Sequence, residues 1–312
     1  MQLSQLVRDL EWVMKSPSLP LGDGVVADPE CELMLSSSQN ALDHLRLDPT
    51  RLQAFLSLHD RSGRLGNRFE SLLLFWLTEI LGLGPVHSSV AIRDGAQTLG
   101  ELDFVLRFPR APERWEHWEA AVKFYMCIAS TPQGAQDPAS FVGQALLDRL
   151  DLKLAHLFEK QLRLGHDPRT LATLRAVGVD QLSCARLFMK GRLYYPLQWD
   201  WRKVPGPVGI SPQHERGWWI AWEESGQELL KTLRLEGGAS EWRVHPKSRW
   251  MAPPADVGNP GWGFESHEAL IAALNEHFLD PEAPTLVLTG HGVGMILRPG
   301  WPESAVSKTA HP

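Results

Sequence analysis

The amino-acid sequence predicts a mixed α/β (α+β) protein, and three observations carry that prediction. Stretches of helical periodicity alternate with stretches of two-residue alternation, in the order helix, three strands, helix, strand. The 312 residues, 43% of them hydrophobic, suffice for one large or two modest domains with a full core. A charged fraction of 22% and unremarkable Gly and Pro usage exclude a disordered polymer and a collagen-like chain.

Residues 2–15 read as an amphipathic helix, with Leu3, Leu6, Val7, Leu10 and Val13 on one stripe and Ser16-Pro17 ending it. A Gly/Pro/Asp-containing stretch follows from Leu19 to Pro29, then a second helix from Pro49 to His59. The most apolar helix covers Leu65 to Leu81 and stops at Gly82 and Gly84-Pro85. Three strands come next, Val86 to Arg93, Glu101 to Phe108 and His117 to Met126. In the second, Leu102, Phe104, Leu106 and Phe108 alternate with Glu101, Asp103, Val105 and Arg107; in the third, Trp118, Ala120, Val122, Phe124 and Met126 oppose Glu119, Ala121, Lys123 and Tyr125. Pro109 to Arg114 makes the turn between those two.

A long helix is expected from Ser140 to Leu164, on the spacing of Leu147, Leu150, Leu154, Leu157 and Phe158. Strand Leu182 to Met189 leads through Gly191 into a second extended piece, Leu193 to Leu197. The Pro/Gly-rich stretch Val204 to Pro212 reads as a linker. Beyond it, strands are expected at Trp218 to Trp222, Trp242 to Val244 and Thr285 to Leu288, with a helix from Ser266 to His277. Gly290-His-Gly-Val-Gly294 reads as a hairpin turn, because Met295 to Arg298 after it is extended and a phosphate loop needs a helix there. The division expected is 1–60, a helical segment; 61–203, a core; and 204–312, an accessory region. Nine of the thirteen Trp lie at or after Trp199, which reads as large aromatics building a small core.

The formal net charge of -6 argues against a surface that grips nucleic acid everywhere, but not against a local basic groove. Arg186, Lys190, Arg192, Arg202 and Lys203 are the residues such a path would use. Cys31, Cys127 and Cys184 are odd in number and far apart, so neither a disulfide framework nor a metal knuckle follows, and a reducing cytoplasm is the compartment expected. The longest apolar run, Leu72 to Leu77, falls well short of the ~20 residues that span a bilayer, so no membrane association is expected.

Four residues carry the chemical reading. Glu70 shares a helical stripe with Leu73, Leu74 and Leu77, where a carboxylate is costly unless a cation or metal accompanies it. Pairing the two strands about Ala111 sets Asp103 opposite Glu119, with Cβ atoms about 5 Å apart, near enough to share one divalent ion. Lys123 stands on the same face as Glu119, two pleats further along. Two or three carboxylates holding Mg²⁺, with an amine beside the attacking water, are what phosphodiester hydrolysis requires.

The order Glu on a leading helix, Asp on a second strand, and a carboxylate with Lys on a third resembles the PD-(D/E)XK nuclease superfamily. More closely, Arg64-Leu-Gly-Asn-Arg-Phe-Glu70, Glu101-Leu-Asp-Phe104, Trp118-Glu-Ala-Ala-Val-Lys-Phe-Tyr125, Asp148-Arg-Leu-Asp-Leu-Lys153 and Arg216-Gly-Trp-Trp219 resemble an uncharacterised bacterial family, the domain of unknown function DUF1853. The resemblance implies a restriction-endonuclease-like core over 61–203, with Asp103 the central metal ligand, Lys123 the catalytic lysine and Glu70 the helix carboxylate. It implies Mg²⁺ or Mn²⁺ as cofactor and nucleic acid, DNA ahead of RNA, as substrate. Gln144 and Lys153, on the helix after the third strand, are secondary site residues. One departure stands out. The superfamily carboxylate two residues before the lysine is here Ala121, and Glu119 would have to reach the ion from one pleat away. If it does not, the alternative is a nuclease-like scaffold without activity that binds nucleic acid or a protein partner.

Overall fold

A computed structural model of the chain describes residues 3–60, 62–232, 243–245, 247–252, 266–280, 285–290 and 292–310. It is a mixed α+β structure whose contacts divide into two units interleaved along the chain. The first comprises 1–123, 152–191 and 209–213; the second comprises 124–151, 192–208 and 214–312. Unlike the sequential division expected, this one takes residues of single strands into both units.

The first unit opens with α1 (Leu3–Lys15), α2 (Asp28–Ser36), α3 (Gln39–Leu47) and α4 (Thr50–His59). The stripe expected on α1 is the buried one, with Leu6, Val7, Leu10 and Val13 inside. Helices α2 and α3 fall in and beyond a stretch read as irregular. The apolar helix α5 (Leu65–Phe75) buries Phe69, Leu72, Leu73 and Phe75, and continues as a π turn, Trp76–Ile80, that ends at Gly82. Gly82 has φ +63°, a conformation that suits glycine at a helix end.

Strands β1 (His87–Asp94), β2 (Gln97–Arg107) and β3 (Trp115–Cys127) form an antiparallel meander. Its second hairpin pairs Phe104 with Trp118 and Val105 with His117, the register centred on Ala111. Both faces are covered. On one side Trp118 stacks on Phe188, ring centroids 5.8 Å apart, and Phe188 meets Phe69 of α5 at 5.9 Å. On the other, Val105 and Trp115 join Leu174, Val179 and Leu182 in one core cluster. That second cover accompanies the burial of Glu119 and Ala121, expected on a polar face, and of His117 beside them.

The helix expected from Ser140 to Leu164 is replaced over its first third. Phe141–Gly143 is a short strand, β4, pairing with the end of β3 as Tyr125↔Gly143 and Met126↔Val142. The chain then turns, with Gly143 N–H donating to the Asp148 carbonyl at 3.0 Å, and helix α6 starts only at Leu150. It runs to His156, passes through a π turn at Leu157–Gln161 and ends in α7 (Leu162–Leu164). Helix α8 (Thr170–Ala176) follows.

Strand β5 (Leu182–Pro196) is continuous through Gly191, not two pieces. Within the first unit it lies next to β3, and Gly191 is there because the backbones approach closely: a Cβ would overlap the Lys123 carbonyl oxygen. The stretch read as a linker is also tied down. Ile210 bridges Pro20, and Ser211 N–H donates to the Leu19 carbonyl at 2.9 Å.

In the second unit β5 pairs parallel with β6 (Glu215–Ala221), which pairs parallel with β9 (Gly292–Leu297). Strands β7 (Arg243–His245) and β8 (Leu286–Gly290) extend the order β5-β6-β9-β8-β7. Gly290 pairs with Gly292, so this glycine run makes a hairpin and no phosphate loop. Helices α9 (Glu224–Thr232), α10 (His267–His277) and α11 (Trp301–Ala310) complete the unit, α10 being capped by the Ser266 hydroxyl. Trp218, Trp219, Trp222, Trp250 and Trp301 are all buried. The indole N–H groups of Trp219, Trp222 and Trp301 donate to the Cys127 carbonyl, Asn275 and the Gln144 carbonyl. These tryptophans are core, as their number suggested. Trp242 and Trp262 lie outside the described residues.

Candidate functional site

The site belongs to the first unit. Glu70 sits near the start of α5 and Asp103 on β2, and the two line one cavity of about 100 Å³ together with His59, Asn67, Ser71, Leu74, Ser88, Ser89 and Phe104. That volume is roughly three waters, enough for an ion and its water. Its charged lining is acidic, and among the described residues neither Glu70 nor Asp103 has an ion-pair partner. Arg68, the base nearest Glu70 in sequence, is turned instead to Asp9 at 3.3 Å and Asp60 at 3.6 Å.

Asp103 is anchored by one donor. Its Oδ2 accepts the Ala120 N–H at 2.8 Å, just beyond the last regular pair of the β2–β3 ladder, Phe104↔Trp118. Burial, opposed only by that hydrogen bond and reinforced by the charges of Glu119, Glu70 and Glu101, pushes its carboxyl up to about 8. Glu70 is pushed up to about 7, first by burial and then by the charges of Glu101 and Glu119. Carboxylates from α5, β2 and β3 thus raise one another's affinity for protons.

Glu119 takes a supporting place. It is buried on β3, its Oε1 accepts from Gln161 Nε2 at 3.1 Å, and its Oε2 lies 3.6 Å from His117 Nε2. It does not line the cavity, and neither does Lys123, which is partly buried four residues further along the strand. Ala121, between them, is buried. Among the described residues no group of three or more His, Cys, Asp and Glu side chains could hold a metal ion unaided. Mg²⁺ is a cation commonly bound through one or two carboxylates with waters completing its shell, and Asp103 and Glu70 are the carboxylates of this cavity that could contribute to such a shell.

The two secondary residues fare differently. Lys153 is on α6, partly buried. Gln144 is not on a helix: it follows β4 in the second unit, where its side chain meets Thr285 at 3.1 Å and its carbonyl accepts the Trp301 indole. Four of the basic residues read as a nucleic-acid path have acidic partners within their own unit. Lys190 is buried, donating to the Ser16 carbonyl at 2.8 Å and facing Asp28; Arg192 is buried against Glu215; Arg186 pairs with Glu30 and Lys203 with Asp200. Arg202 and Lys203 are exposed, the latter in a surface pair. The cysteines are free thiols, and burial pushes each upward, Cys127 to about 12, so none is poised as a nucleophile. Asn67, one helical turn before Glu70, was findable from spacing; Ser88, Ser89 and Gln161 carry no comparable mark in the sequence.

A pH dependence follows from the raised carboxyls. Both groups hold their protons more tightly folded than unfolded, so their contribution to stability is full below about pH 4 and is lost as pH rises through about 7 and 8. In chelator-treated protein, urea unfolding should show stability falling by on the order of 1–3 kcal/mol between pH 5 and pH 8.5. Glu70→Gln should flatten part of that slope. A stability that rises over the same range would contradict the assignment.

The described structure thus defines a mixed α+β protein with a small acidic cavity between a helix and a strand meander. The chain belongs to the family described as a domain of unknown function, DUF1853, whose model matches residues 8–293. No curated protein and no solved structure matches it. Among the described residues no helix is long and apolar enough to cross a membrane.

Proposed function

We propose that this protein is a metal-dependent nuclease or phosphodiesterase, hydrolysing phosphodiester bonds of nucleic acid, DNA ahead of RNA, in the cytoplasm. The observation that carries the reading is the shared cavity of Glu70 and Asp103, two buried carboxylates with raised pKa values and no ion-pair partner among the described residues. The order α5, β1, β2, β3, α6, β5 supports a restriction-endonuclease-like core, and the substrate class rests on the superfamily resemblance.

Asp103 and Glu70 would hold Mg²⁺ or Mn²⁺, with Glu119 behind them, locked by Gln161 and adding negative charge. When bound, such an ion supplies Lewis-acid stabilisation of the charge on the scissile phosphate. The Ala120 N–H fixes one Asp103 oxygen and leaves the other for binding. Lys123 would supply the amine that orients or deprotonates the attacking water at Nζ. A scaffold without chemistry is the competing reading, and it draws on Ala121 and on the engagement of Glu119.

The test is cleavage of single- and double-stranded DNA and RNA with Mg²⁺ or Mn²⁺, with chelator as control and Lys123→Ala beside the parent. Metal-dependent cleavage, reduced about 10²–10³-fold in a folded Lys123→Ala, is the expected result. No cleavage of any substrate, and no metal binding, would favour the scaffold.

A further inference from the structure

Ser89 is one of two non-glycine residues with positive φ among the described residues, at +53°. Serine pays a steric penalty in this left-handed region, and a residue kept there in the middle of a strand points to a demand the regular strand does not meet. Its position identifies the demand. Ser89 falls between the pairs Ser88↔Phe104 and Val90↔Leu102, which sets it across from Asp103 on the side of β2 away from β3. Consecutive residues of a regular strand face opposite sides, yet Ser88 and Ser89 both line the acidic cavity. The left-handed turn is how both come to line it.

We propose that Ser89 is a positioning residue of this site, its hydroxyl hydrogen-bonding the water of a hydrated divalent cation held by Asp103 and Glu70. The inference rests on the metal reading above and extends it to a residue with no charge and no motif. The cavity supplies the reason a hydroxyl is needed. Two carboxylates cannot complete the shell of a hard cation, and water fills the rest. Such water is held in place only where neighbouring polar groups accept or donate to it, and this volume accommodates about three waters. Ser88, Ser89, Asn67 and His59 are the polar side chains lining the cavity besides the two carboxylates and Ser71, whose hydroxyl is already committed to the Asn67 carbonyl at 2.7 Å.

Two substitutions separate the hydroxyl from the backbone conformation. Ser89→Gly removes both the hydroxyl and the steric penalty; Ser89→Ala removes only the hydroxyl. Mn²⁺ affinity, measured by electron paramagnetic resonance on the full chain, should fall about tenfold in both variants. Melting temperature without metal should rise by about 2 °C in Ser89→Gly alone. A gain in stability joined to a loss of ion affinity is the signature expected, since a merely structural residue would not move the two in opposite directions. Parent-like Mn²⁺ affinity in both variants, with a parent that binds, overturns the role of Ser89 and leaves the metal reading standing. A parent that binds no Mn²⁺ overturns both.

Discussion

Asp103→Asn is expected to lower metal-dependent cleavage by about 10²–10³-fold while making the metal-free protein more stable at pH 8.5. The two effects have one cause. Asp103 is the carboxylate on which burial and the charges of Glu119, Glu70 and Glu101 converge, so its ionisation near pH 8 costs the fold what a cation would return. Asparagine has the same shape, and its amide oxygen can still accept the Ala120 N–H, so the strand end keeps its anchor. What disappears is the negative charge. At pH 8.5 that removes repulsion and should raise stability by on the order of 1–2 kcal/mol, seen in urea unfolding. The same change removes the ligand that the cation needs. A variant that is less stable than the parent at pH 8.5, or that cleaves as well, would contradict the role given to Asp103.

Gly191→Ala is the second large effect, and it acts from behind the site. The new methyl would overlap the carbonyl oxygen of Lys123, a backbone atom that cannot rotate away. Either β5 separates from β3 or the Lys123 peptide moves. A loss of about 3 kcal/mol in unfolding free energy is expected, at the upper end for overpacking because no side chain can give way. In any fraction that folds, Lys123 is displaced, and cleavage should fall further than the loss of folded protein explains. Parent-like stability would mean that the two strands do not approach so closely.

Much of the site's frame was legible in the sequence because its determinants are local. The alternation in β2 and β3, with a short turn holding Pro109 and Pro112, was enough to place the register on Ala111, and the observed pairs Phe104↔Trp118 and Val105↔His117 have that register. The apolar stripe on α5 likewise located Glu70 on a face turned inward. The parts that escaped depend on partners distant in sequence. Phe141 to Gly143 has helical spacing downstream of it, but pairing with Tyr125 to Cys127 draws it into the sheet and leaves Gln144 in a turn. Gly191 looks like a strand break until β3 is beside it. Glu119 was placed on a polar face because nothing local announces that the π turn after α6 brings Gln161 over it. Ser89 is marked only by its backbone conformation, which a serine in a β-compatible stretch does not disclose.

Whether the acidic cavity binds a divalent cation is measured most directly by the stability gained on adding Mg²⁺ as a function of pH. Free carboxylates bind the ion and protonated ones do not, so the gain should be small at pH 5 and grow through pH 7 to 8.5, where Glu70 and Asp103 ionise. It should be lost in Asp103→Asn. A gain that is absent at every pH, or that survives intact in Asp103→Asn, would contradict binding in that cavity.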